Sequence, residues 1–139
     1  MKTYGFDASK EKIRQGKDYI LSGYTKLKAK VLNLSGIWNP YVPDGEPQSK
    51  NGIETNGCVS FSFNNAEEIL HYFLTGEKPN YSDRALFIAS NSTQEGNSLQ
   101  IVAETARNIL GFVPESLLPF SDSIKTWDEF NSPKPLPQS

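Results

Sequence analysis

The chain has 139 residues, 37% of them hydrophobic and 22% charged, with a formal net charge of -2, which is one domain's worth of sequence with apolar residues for a single core. No apolar run approaches the roughly 20 residues that span a bilayer, and Met1 to Lys17 is polar without the apolar centre of a signal peptide, so no membrane partner and a cytoplasmic location are expected. One cysteine and one histidine make neither an internal disulfide nor a structural zinc site, so no cofactor and no metal are expected.

The charge is uneven. Met1 to Lys30 carries eight Lys/Arg against three Asp/Glu, and the remainder six against thirteen. The basic residues are spread out and lack regularly interleaved aromatics, so a lysine-rich surface docking on its own acidic body is the better reading, and no nucleic acid is expected as a partner.

In chain order, residues 1–36 form a basic N-terminal segment with one strand, because Lys26 to Leu34 alternates lysine with Leu, Ala and Val. Residues 37–57 hold Pro40, Pro43, Pro47, Gly45 and Gly52 and read as a loop. A helical region then covers 58–130. Its first helix carries Ala66, Ile69, Leu70, Phe73 and Leu74 at the spacing of a buried stripe, with Gly76 as its stop. Ser82 is the N-cap of a second helix that ends before Asn91-Ser92-Thr93. The third follows Gly96-Asn97-Ser98, with Leu99, Val102, Ala106, Ile109 and Leu110 on one side and Gly111 closing it. Residues 131–139, with three prolines, read as a linker or cut end. Asp122, Asp128 and Glu129 read as solvated surface. Ile37, Trp38, Val113 and Leu117 are either pocket lining or core.

The single cysteine lies where the loop meets the first helix, in Asn56-Gly57-Cys58-Val59-Ser60-Phe61-Ser62. Unpaired N–H groups and the dipole at a helix start favour a thiolate, so this is a fit place for a nucleophile. Gly57 permits close approach of backbone or substrate. A lone cysteine is otherwise a small buried hydrophobe.

Gly57-Cys58-Val59-Ser60-Phe61-Ser62 resembles the nucleophile motif of papain-like cysteine peptidases, with Cys58 on the nucleophile. Tyr81-Ser82-Asp83-Arg84-Ala85-Leu86 resembles the Leu-Ser-Glu-Gln-x-Leu that opens the family's second helix. Glu95-Gly96-Asn97-Ser98-Leu99 and the stretch from Gly111 to Phe120 resemble a Gly-x-Ser-Leu and Gly-x-x-Pro-Glu-x-x-x-Pro-Tyr pair found in bacterial and viral members. Four matches in order over about 45–120 are more specific than any one of them.

The resemblance implies an α+β fold: the mainly helical left domain of a two-domain papain-like protein, three helices preceded by a strand and a long loop. Cys58 would attack an amide carbonyl and form a thioester. Gly57, Gly96 and Asn97 would bind substrate backbone, though a plain turn into a helix explains Gly96-Asn97-Ser98 nearly as well. The oxyanion donor of the family lies six residues before the cysteine, where this chain has Gly52. Gln48, ten residues before, is the candidate donor, the alternative being a solvent-facing loop glutamine.

The base departs from the pattern. His71 lies thirteen residues after Cys58 in the same expected helix, a rise of roughly 20 Å, and cannot be its partner. The histidine and the Asn or Asp would come from a second half of the fold, in the same precursor or in another chain. Phe61, Phe63, Phe120 and Trp127 would then cover surface buried by that half. The expected function is a thiol-dependent peptidase acting on a peptide or protein substrate, inactive as this chain alone. The alternatives are an inactive half-fold serving as a binding or virion-structural module, and a peptidoglycan amidase or endopeptidase.

Overall fold

The computed structural model describes Phe6, Lys10 and residues 33–133, and the strand expected over Lys26 to Leu34 lies almost wholly outside them. Among the described residues the architecture is mixed α+β. A two-stranded antiparallel hairpin, β1 (Ser49–Lys50) and β2 (Ile53–Glu54), precedes α1 (Cys58–Thr75), α2 (Asp83–Ala89), α3 (Leu99–Thr105) and α4 (Trp127–Phe130). Short 3-10 turns occupy Asn39–Tyr41 and Glu115–Leu117.

The hairpin adds two short strands to the 37–57 stretch expected to be loop. Asn51 and Gly52 both take positive φ, 55° and 80°, the geometry that a tight two-residue turn between antiparallel strands requires. The register pairs Ser49 with Glu54 and Lys50 with Ile53. Asn51 Nδ2 donates to the carbonyls of Asp122 (3.2 Å) and Ile124 (2.9 Å), tying the turn to the C-terminal region.

Helix α2 is the centre. Asp83, Arg84, Ala85, Leu86, Phe87 and Ile88 are all buried, and its two sides serve two cores. Phe87 and Ile88 pack with Ile53, Ile124 and Phe130, and Leu86 packs with Val59, Val102 and Ala106. The helix starts as expected, with Ser82 Oγ accepting from the Ala85 N–H at 3.0 Å. Ser98 caps α3 in the same way, accepting from Ile101 N–H at 3.1 Å.

Helix α1 stops where expected, at Gly76 with φ 77°, but its buried face differs from the predicted stripe. Ala66 and Leu74 are exposed and Ile69, Leu70 and Phe73 half-buried. Val59, Ser60, Phe61, Asn64 and Glu68 face inward instead. The polar members bond to the segment that opens α2: Asn64 Nδ2 donates to Asp83 Oδ1 (2.9 Å) and Glu68 Oε1 accepts from Tyr81 N–H (2.6 Å). Satisfied hydrogen bonds let polar groups occupy an interior that apolar periodicity assigns elsewhere. Phe73 joins Trp38 and Tyr41 in an aromatic cluster, with centroids 5.1 and 5.2 Å away.

The stripe on α3 is also displaced. After Thr105 the helix widens into a π turn, Ala106–Leu110, which inserts a residue and rotates the positions beyond it by about 100°. Val102 and Ala106 stay buried while Leu99 is 51% and Ile109 77% exposed.

The four aromatic residues expected to be covered by a second half have partners in this chain. Phe61 is buried, Phe120 and Trp127 pack on the Phe87 core, and Phe63 stacks on Phe112. Ile37, Trp38 and Leu117 are exposed and lie outside the core. Among the described residues no helix is long and apolar enough to cross a membrane.

Candidate active site around Cys58

Cys58 is the first residue of the 18-residue α1. Three local features fix its approach. Asn56 takes φ 49°, and its side-chain amide donates to Gln94 O at 2.6 Å. Gly57 N–H donates to the fully buried Thr55 Oγ1 at 3.1 Å. Gly57 itself has an ordinary φ of -83°. Its lack of a side chain matters for packing: a Cβ there would sit 3.1 Å from Phe61 Cε2, Phe87 Cδ2 and Thr55 Oγ1. The close approach expected of Gly57 is therefore to the protein's own interior.

The sulfur is half-buried and packs against the Val59, Leu86, Val102 and Ala106 core. Burial pushes its thiol up from the ordinary value, and the Val59 backbone hydrogen bond offsets that only in part. Desolvation of the charged form thus works against the acidification expected of a helix start.

Cys58 opens onto a groove of ≈ 420 Å³ that also has Glu46, Gln48, Phe61, Leu99 and Phe6 on its walls. Gln48, ten residues before the cysteine, is brought to the same groove by the hairpin, which folds the intervening residues back. The sequence signal for that return was Asn51-Gly52.

Gly96 and Asn97 are not groove-lining side chains. Asn97 is buried, its Nδ2 donating to Ser90 O (3.0 Å) and Ser92 Oγ (2.9 Å) and its Oδ1 accepting from Ser98 N–H (2.8 Å). Its side chain shapes the 90–98 turn. The backbone strip is nevertheless used: Asn97 forms a parallel β-bridge with Phe6, and Gly96 O accepts from Lys10 Nζ at 3.1 Å. Phe6, which no sequence pattern singled out, reaches both this strip and the Cys58 groove.

His71 stands in α1 as expected, thirteen residues beyond Cys58. Its Nδ1 is 2.8 Å from Tyr81 Oη and its Nε2 is 4.0 Å from Glu77. It is a structural partner of Tyr81 and supplies no base to the groove. Among the described residues no group of three His, Cys, Asp or Glu is arranged to hold a metal ion. Asp122 is exposed and pairs with Lys50 at 2.8 Å.

A second polar centre, which no sequence motif marked, lies behind the groove. A cavity of ≈ 160 Å³ is walled by Glu46, Lys50, Phe61, Asp83, Glu115 and Phe120. Asp83 is 3% exposed. Burial first, then the neighbouring Glu46 and Glu68, push its carboxyl up to about 8 against the pull of the Asn64 amide. Glu68 and Glu115 are raised too, again first by burial. The sequence signal was an acid at N1 of a helix in which four of the next five residues, Ala85 to Ile88, are apolar.

Comparison with known proteins finds no family model, no curated protein and no solved structure that matches this chain.

Proposed function

We propose that this chain is the cysteine-bearing half of a papain-like cysteine peptidase. The observation that carries the reading is that Cys58 and Gln48 share one groove, with the cysteine at the first position of the longest helix among the described residues. Cys58 Sγ attacks an amide carbonyl and forms a thioester. The Gln48 amide faces the developing oxyanion, where a pre-aimed donor contributes a few kcal/mol. A histidine from the second half takes the thiol proton and passes it to the leaving amine, and water then releases the acid. An extended peptide has a natural place on the Gly96-Asn97 strip, since Asn97 already forms a β-bridge there, with Phe6.

A second reading, a catalytically inactive papain-like binding or virion-structural module, is favoured by the raised Cys58 thiol. The amidase reading keeps the same thiol chemistry on peptidoglycan amides and differs only in substrate.

The two classes separate in one experiment. The chain is combined with the polypeptide that completes the fold, and iodoacetamide alkylation near neutral pH is followed beside hydrolysis of a fluorogenic peptide amide. A peptidase alkylates Cys58 well above the rate of a small free thiol and hydrolyses the amide, both lost in Cys58→Ala. Alkylation no faster than a free thiol in that complex sinks the nucleophile; full partner binding by Cys58→Ala without hydrolysis establishes the module.

A further inference from the structure

Apart from the Cys58 groove, the turn after α2 and the two ends of α4 are brought together around an open groove of ≈ 650 Å³, within the roughly 300–1,000 Å³ of small-ligand sites. Its walls are residues 91–95, Trp127 and Asn131. One of these is aromatic, one is an acid, and the other five carry amides or hydroxyls. Among the described residues, no Lys, Arg or His lines it.

The polar groups there are not spent on the protein. Among the described residues, the Asn91 and Gln94 side chains are exposed and make no hydrogen bond. Asn131 Oδ1 is buried without a partner, a state that few polar atoms of a folded chain are left in. The walls that carry these amides are held from behind. Ser92 Oγ is bonded to Ser90 Oγ and Asn97 Nδ2, each at 2.9 Å, and Gln94 O accepts from Asn56 Nδ2 at 2.6 Å. Trp127 is half-buried, its ring centroid 5.6 Å from those of both Phe87 and Phe130. A fixed aromatic surface and uncommitted amides therefore share one groove.

That pairing selects a ligand class. A side-chain amide both donates and accepts, which matches a hydroxyl, since that does the same. An indole offers an apolar face with a polar N–H at its edge. A pyranose ring has both complements, a face of C–H groups and a rim of hydroxyls. A phosphorylated ligand finds no cation on the described walls, and an apolar one leaves the amides desolvated and unpaired.

We propose that this groove binds a short neutral oligosaccharide, with one pyranose ring against Trp127 and its hydroxyls on the Asn91, Gln94 and Asn131 amides. The site is tied to the thiol groove by Asn56, which holds Gln94 O and precedes Cys58 by two residues. A glycan-linked amide is the substrate class that engages both; that consequence rests on Cys58 as nucleophile, and the binding does not.

The test is a fluorescence titration of the full chain in a Trp38→Phe background, which leaves Trp127 as the single tryptophan. The probes are cellotriose and tri-N-acetylchitotriose. The expected result is a saturable change in Trp127 emission at millimolar concentration or below with at least one of them. Asn91→Gly, which suits the φ of 53° at that position, combined with Gln94→Ala is expected to weaken binding by about tenfold or more, the loss of two hydrogen bonds. Both positions are exposed, and circular dichroism checks that the double variant is folded. No saturable change with either saccharide, or equal affinity in the folded double variant, overturns the proposal. So does tighter binding of adenosine, which would make the Trp127 wall a nucleobase site. The readout is binding alone, so an inert Cys58 removes the peptidase reading and leaves the saccharide groove standing.

Discussion

Arg84→Met is the sharpest test of how the fold is held together. The Arg84 Nε donates to Phe130 O at 2.7 Å, Nη1 to Pro119 O at 2.9 Å, and Nη2 to the carbonyls of Glu129 and Ser132, each at 2.5 Å. Three of these acceptors lie at the end of α4, a four-residue helix too short to stand on its own hydrogen bonds. A cation also suits the negative end of a helix. Methionine keeps most of the apolar stem against Phe130 and deletes every donor. Water reaches Glu129 and Ser132, which are exposed, but not the buried bond to Phe130 O. One or two carbonyls left unsatisfied cost about 1–3 kcal/mol each, so the variant is expected to lose about 3 kcal/mol, or roughly 10 °C in Tm. Urea unfolding measures the global loss, and hydrogen exchange at the Phe130 and Asn131 amides measures the local one. Arg84→Lys, with one compact donor group in place of a fork, recovers no more than about a third. A loss below about 1 kcal/mol, or unchanged exchange at α4, refutes the assignment of Arg84 as its anchor.

Gly57→Ala places a Cβ 3.1 Å from two aromatic ring atoms and from Thr55 Oγ1; overpacking of that kind costs about 1–3 kcal/mol, measured by urea unfolding, and a neutral result would mean that the rings move aside freely. The pH dependence of stability is set by Asp83. Its folded carboxyl, at about 8, binds a proton more tightly than the ordinary 3.8 of the unfolded chain, so the folded state carries the extra proton between those values. Stability is therefore fully present below about pH 4 and declines as pH rises toward 8, by at most about 1.4 kcal/mol per pH unit. Glu68 and Glu115, also raised, act in the same sense. Urea midpoints at pH 5, 7 and 9 should fall in that order and flatten in Asp83→Asn; a rise from 5 to 9 contradicts the assignment.

The chemistry legible in the sequence was the kind that acts within a few residues. Ser82 and Ser98 cap their helices because a hydroxyl two or three residues from an unpaired N–H needs no information about the rest of the chain. Gly76 ends α1 for the same kind of reason. The Asn51-Gly52 turn was equally local, but its strands are two residues each, too short to show alternation among the prolines around them. The Thr126 to Glu129 capping box, with both reciprocal bonds present, is a further local signal that proline-rich surroundings obscured. Burial was less legible, since it depends on what a helix meets. Asn64 and Glu68 are interior because Asp83 and the Tyr81 N–H are there to receive them, and nothing in the spacing of Ile69, Leu70 and Phe73 carries that information.

The same distinction governs the site. A helix start favours a thiolate through the field of a few N–H groups, which is worth fractions of a kcal/mol to about 2; desolvation of a half-buried sulfur opposes it and pushes the thiol up. The local motif therefore puts Cys58 where a nucleophile is useful without ionising it. Ionisation needs a cation at the groove, and the described residues that line it include no Lys, Arg or His. On the peptidase reading a histidinium from the second half would work in the opposite direction, since an opposite charge within about 4–6 Å favours the thiolate. On the peptidase reading, the raised thiol keeps the isolated chain inert, and reactivity at Cys58 rises when the second half docks.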